Sequence, residues 1–272
     1  MPAASLAREL AEAYARRQIV EPPSAQFPGF TLSDAYAVEA ELVRLRRAAG
    51  HAPVGRKVGF ANRSLWRVFK LDTVLWAHLY DDTVRYAGSG ETAPLSLGRM
   101  LAPKLEPEIV FKLSRAPSGP LSNPATVLES VEWLALGYEI VDCVYPDWRF
   151  QPADFVAAFG LHAALIVGPP LQVSPDRSAA LAGQLATCRV RLLRDGELVA
   201  EGGGEKVLQS PALCVGELAA GLTRQGSAEP LAAGELIASG ALCDNQFIAP
   251  GQRWTAGIEG LALPDLSLQT SA

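Results

Sequence analysis

The chain has 272 residues, of which 49% are hydrophobic and 19% charged. That composition belongs to folded globular proteins rather than disordered ones, and the length suffices for one large domain or one domain with a smaller appendage. A formal net charge of −5 and a pI near 5.3 argue against a basic nucleic-acid footprint.

No apolar stretch of about 18 residues occurs, so no membrane-spanning helix is predicted. The N-terminal segment lacks a hydrophobic signal core and carries Glu9 and Glu12, which disfavours an export or organellar signal. Cys143, Cys188, Cys214 and Cys243 form no C-x-x-C pair. They read as reduced thiols of a cytoplasmic protein, with Cys143 and Cys188 as core residues of apolar strands.

In chain order, residues 5–18 predict an amphipathic helix capped by Ser5. After the Pro22, Pro23 and Pro28 stretch, a second helix is predicted over 33–49, stopping at Gly50, with Arg44, Arg46 and Arg47 suiting its C-terminal dipole. Residues 54–60 are strand-like, and Asn62 caps a short helix through Phe69. From about residue 75 strands dominate. Residues 189–199 predict a hairpin around Asp195-Gly196. A helix over 211–224 opens on Pro211, and strands are predicted over 235–239, 252–256 and 260–268. These elements predict an α+β protein, with an N-terminal helical region over 1–75 and a curved β core over 76–272, working as one continuous functional unit.

Glu106-Pro107-Glu108 and Glu139 are the informative acids. Both segments, 104–113 and 136–144, read as buried strands. Residues i and i+2 of a strand share a face, which places Glu106 and Glu108 together, roughly 7 Å apart. A single Glu is ordinarily a solvated strand residue. Three in apolar strands repel one another and lose hydration unless a cation compensates. Their oxygen-only donor set favours Mg²⁺ or Mn²⁺, with Ca²⁺ possible, and leaves coordination positions for a substrate that chelates through two oxygens.

Lys57, within Gly55-Arg-Lys-Val-Gly59, reads either as a surface lysine on a β edge or as a cation aimed into a pocket. In a pocket it would bind a carboxylate or exchange a proton. Gly202-Gly-Gly-Glu-Lys206 lacks phosphate-loop spacing, and there is no dinucleotide fingerprint, nucleophile elbow or local zinc pattern around His51, His78 or His162.

The series Gly55-Arg-Lys-Val-Gly59, Glu106-Pro-Glu108, Tyr138-Glu-Ile-Val-Asp142, Val207-Leu-Gln-Ser-Pro211 and Ala238-Ser-Gly240 resembles the fumarylacetoacetate hydrolase superfamily. Within it, the branch of 2-keto-4-pentenoate hydratases and 4-oxalocrotonate decarboxylases is most similar. The resemblance implies a mixed β-sandwich roll with N-terminal helices and a Mg²⁺- or Mn²⁺-dependent lyase of aromatic-compound degradation. It implies metal ligation by Glu106, Glu108 and Glu139, a catalytic Lys57, and Asp142 behind the ligands. Ser239 and Gly240 would line the substrate carboxylate site, with Lys206 a further substrate-binding charge. The partner would be a small 2-oxo or 2-hydroxy acid, and the assembly a homo-oligomer, which a sister lyase could join.

The implied hydration ketonises a 2-hydroxy-2,4-dienoate with protonation at C5 and adds water at C4. The decarboxylase sister instead loses CO₂ from a vinylogous β-keto acid. Three positions depart from the branch: Leu75 replaces an acid with His78 nearby, Gln209-Ser210 replaces Asn-His beside Lys206, and Leu161-His162 replaces Asp-Asn. The motifs barely separate the hydratase from the decarboxylase, and two further alternatives stay open. One is an acylpyruvate C–C hydrolase using His78 or His162 as general base, and the other is a non-catalytic 2-oxo-acid-binding partner. His162 reads equally as a core histidine.

Overall fold

Apolar residues at helical spacing in the first fifty positions form an N-terminal helical layer, in a computed structural model that describes residues 2–119, 121–226 and 228–272. It comprises α1 (Ala3–Arg16), the single turn α2 (Pro23–Gln26) and α3 (Leu32–Ala48). Leu6, Leu10 and Ala13 of α1 share one buried cluster with Ala35, Val38 and Leu42 of α3. Ser5 does not cap α1. The helix begins two residues earlier, with Pro2 at the N-cap and no side-chain cap, and Ser5 N–H donates to the Pro2 carbonyl at 3.0 Å. α3 opens on a Thr31/Asp34 capping box and ends one residue before the expected Ala49, ahead of Gly50.

The chain continues through β1 (Pro53–Gly59), α4 (Arg63–Phe69), β2 (Leu75–Tyr80), β3 (Val84–Tyr86), β4 (Thr92–Ser96), β5 (Lys104–Leu113), α5 (Pro124–Leu128) and β6 (Val131–Val141). Next come α6 (Pro152–Ala157), β7 (His162–Val167), β8 (Leu171–Gln172), α7 (Ser178–Thr187), β9 (Arg189–Arg194) and β10 (Glu197–Gly203). The chain closes with α8 (Pro211–Gln225), β11 (Leu236–Ala241), β12 (Gln246–Phe247), β13 (Arg253–Glu259) and β14 (Leu266–Ser271). As expected, Asn62 caps α4, its side chain accepting from Ser64 N–H at 3.0 Å. β9 and β10 form the expected hairpin, with positive φ at both Asp195 and Gly196.

Two further expectations fail locally. The strand predicted over 260–268 begins only at Leu266, because Gly260 turns the chain with φ +88° and Pro264 follows. Cys143 lies beyond the end of β6 and Cys188 at the C-cap of α7, so neither sits in a strand, although both are buried free thiols.

The larger sheet runs β2-β1-β11-β5-β6-β7-β3, with β12 beside β5 and β8 beside β6; the smaller runs β10-β9-β13-β14-β4. The fold is α+β, two sheets joined by one core. Strand alternation decides what faces that core. Leu105, Ile109 and Phe111 of β5, with Leu134, Leu136, Tyr138 and Ile140 of β6, join Val190, Trp254 and Leu268 of the smaller sheet. The residues between them, Glu106, Glu108 and Glu139 included, therefore face the other side. Among the described residues no helix is long and apolar enough to cross a membrane.

Candidate metal centre and active-site cleft

The β5–β6 register sets Glu106 directly opposite Glu139 and pairs Glu108 with Gly137. Each of the three acids thereby brings one carboxylate oxygen within 4.8 Å of the others. Glu108 and Glu139 are fully buried, and Glu106 is half-buried. Lys57 comes from β1, two strands away from β5. It pairs with Ala238 of β11, which pairs with Val110, so Lys57 shares the acids' face. Its Nζ lies 2.8 Å from Glu139 Oε2, a close charge contact between two buried groups.

His162, at the start of β7, places Nδ1 3.0 Å from Glu139 Oε1 and Nε2 2.9 Å from Thr83 Oγ1. A bulge in β11 interrupts its pairing with β5 between Ala238 and Ala241. There Gly240 has φ +104° and its N–H donates to Glu108 Oε2 at 2.8 Å. A side chain at Gly240 would be strained at that φ, and its Cβ would lie 2.8 Å from the Ala61 Cβ. Asn245 Nδ2 donates to Glu106 Oε1 at 3.0 Å.

The electrostatics are unbalanced. Burial, with Glu139 and Glu106 alongside, pushes the Glu108 carboxyl well above the usual range. Burial also raises Glu106, against the pull of Lys57. Burial opposes ionisation of Glu139 too, but Lys57 and His162 together hold it below the ordinary value. For Lys57 burial disfavours the charge, yet Glu139, Glu106 and Glu108 outweigh it and keep the ammonium above its usual value. Three carboxylates and one ammonium leave a formal charge of −2 in this cluster, and Glu108 Oε1 is buried with no hydrogen-bond partner. An orphaned oxygen, an excess of two negative charges and an all-oxygen donor set fit a hard divalent cation.

The cluster opens into a cleft of about 490 Å³, lined by Lys57, Glu106 and Gly240, by Lys104, Lys206, Asp244 and Asn245, and by a wall of apolar residues. No protein-family model matches the chain. It is 31% identical to the 2-keto-4-pentenoate hydratase of Paraburkholderia xenovorans, over 94% of this chain and 90% of that protein. It is 29% identical to the 2-hydroxyhexa-2,4-dienoate hydratase of Comamonas testosteroni, over 93% and 92%. The chain belongs to the branch of 2-keto-4-pentenoate hydratases and 4-oxalocrotonate decarboxylases. Among solved structures, a 4-oxalocrotonate decarboxylase from Pseudomonas putida, complexed with magnesium and adipate, superposes with a TM-score of 0.87. It is 25% identical, over 98% of this chain and 97% of that one. Membership in this branch makes the chain an enzyme of the lyase class.

Within this family frame, the residues singled out from sequence divide into two groups. Glu106, Glu108, Glu139, Lys57, His162 and Gly240 come together as described, and Lys206 reaches the cleft, its Nζ 3.5 Å from Asp244 Oδ1. Three reach neither the cluster nor the cleft. His78 pairs with Arg56 rather than Lys57 and so faces the opposite side of β2, its Nδ1 2.6 Å from Glu39 Oε1. The Ser239 hydroxyl is buried and donates to the Ile109 carbonyl at 2.9 Å. The Asp142 carboxylate accepts from the amides of Leu101, at 2.9 Å, and Ala102, at 2.8 Å. It pins the segment entering β5 rather than bonding a glutamate.

Sequence reasoning missed Lys104, Asn245, Thr83 and Phe155. Lys104 was findable, being two residues before Glu106 and on its face. Its ammonium lies 4.0 Å from the Trp148 ring centroid and 4.5 Å from that of Phe247, and burial lowers its pKa.

Proposed function

We propose that this chain is a divalent-cation-dependent lyase of short 2-hydroxy or 2-oxo unsaturated acids, of the 2-keto-4-pentenoate hydratase type. The observation that carries the reading is the convergence of Glu106, Glu108 and Glu139 around an orphaned carboxylate oxygen, with Lys57 against Glu139. These three glutamates would hold Mg²⁺ or Mn²⁺. When bound, such a cation supplies Lewis-acid stabilisation of negative charge developing at the substrate's C2 oxygen.

The chain's own residues supply the rest. Lys57 stands on the cleft floor with its Nζ against Glu139, placed to attract the acid's carboxylate or to exchange a proton with the dienoate. His162 and Thr83 fix the orientation of Glu139, and Gly240 N–H and Asn245 fix Glu108 and Glu106. An apolar wall flanks these groups on one side of the cleft.

A second reading, decarboxylation of a vinylogous 2-oxo acid, is favoured by one observation. Neither His78 nor His162 lines the cleft, and loss of CO₂ needs no base to activate water. The same observation leaves the acylpyruvate hydrolase alternative without either histidine as a base in the cleft. The test is turnover of 2-hydroxypentadienoate and of 2-oxo-3-hexenedioate, with Mg²⁺ and with EDTA. The expected result is Mg²⁺-dependent consumption of the first. CO₂ released only from the second selects the decarboxylase reading, and unaltered turnover by Glu108→Ala would sink both.

A further inference from the structure

The cation cluster occupies one end of the cleft, and one wall of the remainder is apolar. Phe60 meets Phe155 edge-on with ring centroids 5.3 Å apart, and Phe69 of α4 edge-on at 5.5 Å. The wall begins at the catalytic cluster itself, for the Lys57 Nζ lies 5.1 Å from the Phe155 centroid. From there it runs outward through Phe60 and Phe69 to Leu65, with Leu161 also on the cleft surface. No residue of α4 is buried, and Leu65 stays 37% exposed. Apolar side chains left accessible on the concave surface of a cleft are the ordinary mark of a ligand-contacting wall. Space agrees. About 490 Å³ is room for on the order of sixteen waters at about 30 Å³ each, and a five-carbon acid displaces only a minority of them.

We propose, resting on the reading above, that this wall is a tail subsite and that the preferred substrates are 2-hydroxy or 2-oxo unsaturated acids with an aryl or extended alkyl group at the far end. A second carboxylate there is disfavoured. The two lysines of the cleft outside the cluster are engaged, Lys206 with Asp244 at 3.5 Å and Lys104 with the rings of Trp148 and Phe247. Phe60, Phe69 and Leu65 offer an anion nothing. Phe69 and Leu65 are thus specificity-determining residues.

The test is calorimetric binding to the full chain in Mg²⁺ of four unreactive probes: pyruvate, 2-oxohexanoate, 2-oxoadipate and 4-phenyl-2-oxobutanoate. The phenyl acid is expected to bind at least about tenfold tighter than pyruvate, the order of discrimination that apolar pockets achieve, with 2-oxohexanoate between them. The phenyl-to-pyruvate ratio is expected to collapse toward one in Phe69→Ala and Leu65→Ser. Because the ratio is read within each variant, partial unfolding does not move it. A ratio near one in the wild type, a ratio that survives both substitutions, or tighter binding of 2-oxoadipate than of 2-oxohexanoate overturns the tail subsite alone. If Mg²⁺ supports no pyruvate binding at all, the metal-site reading falls first and the subsite falls with it.

Discussion

Replacing Lys57 by methionine keeps the side-chain length and removes the charge, which tests the electrostatic argument directly. Lys57 and Glu139 meet at 2.8 Å with side chains 2% and 0% exposed. At an effective dielectric near 20, unit charges at that separation attract by about 6 kcal/mol, and desolvation of the two ions opposes this by several kcal/mol. The intact pair is therefore of modest net value, but Glu139 without Lys57 is a buried, uncompensated charge, which costs about 3–5 kcal/mol. For a chain of this size each kcal/mol moves the melting midpoint by roughly 2–4 °C, so the metal-free variant should melt on the order of 10 °C below wild type.

The deficit carries a pH signature. In the wild type Lys57 and His162 hold Glu139 below its usual value despite burial. Its contribution is thus present above the unfolded carboxylate value of about 4.3 and is lost as pH falls through the lowered folded one. Without Lys57, burial raises Glu139 instead, the group takes up a proton sooner, and the gap between the two proteins should narrow from about pH 8 to about pH 5. Mg²⁺ should restore part of the midpoint, because a cation held by the three glutamates would compensate Glu139, while turnover stays lost. Scanning calorimetry in EDTA and in Mg²⁺ measures all of this. Equal midpoints in EDTA at the higher pH, or a gap that widens on acidification, refute the reasoning.

Glu108→Gln removes a carboxyl already raised by burial and two acidic neighbours. It should stabilise the EDTA-treated protein by on the order of 1 kcal/mol near pH 8 and abolish stabilisation by Mg²⁺, both read from melting curves. His162→Ala frees Glu139 Oε1 from its 3.0 Å contact and should weaken activation by Mg²⁺ about 10–100-fold, the effect typical of residues that orient a ligand. A Mg²⁺ titration of turnover measures it, and rescue by His162→Gln separates orientation from proton transfer. Gly240→Ala puts a Cβ 2.8 Å from that of Ala61 at φ +104°. It should cost about 1 kcal/mol or more and lower Mg²⁺ affinity by withdrawing the amide from Glu108, which calorimetry would show as a weaker Kd.

The metal centre was legible because it is written in strand periodicity. Glu106 and Glu108 two apart, and Glu139 inside an apolar run, need only a pair of adjacent strands to converge, and the β5–β6 register supplies that pair. Lys57 was legible as a motif but ambiguous as a position. What settles it is a parallel pairing with β11, some 180 residues away in sequence, which no local signal encodes. A different pairing, β1 with β2, decides the position of His78. Its proximity in sequence to the departing Leu75 suggested the cleft, whereas register with Arg56 turns it to Glu39 on α3. The aromatic wall was illegible for another reason. Phe60, Phe69 and Phe155 are ordinary core residues by composition, and only their arrangement around a concavity gives them a role.

That arrangement bears on which reaction is run. Hydration and decarboxylation place the same demands on three glutamates and a lysine, so the cluster cannot discriminate between them, and the difference must lie in the walls. Of the positions that depart from the family pattern, Leu75 is 1% exposed, in the core shared with α1, α3 and α6, and does not line the cleft. Leu161 and Lys206 do line it. The buried, apolar Leu161, next in sequence to His162 of the cluster, lowers the local polarity of the cleft, which discourages a water nucleophile. Introducing an acid at Leu161, rather than at Leu75, is therefore the substitution expected to shift the balance toward water addition. The ratio of hydrated to decarboxylated products from 2-oxo-3-hexenedioate, followed by NMR, reads that shift. An unchanged ratio would place the determinant elsewhere, at Lys206 and Asp244.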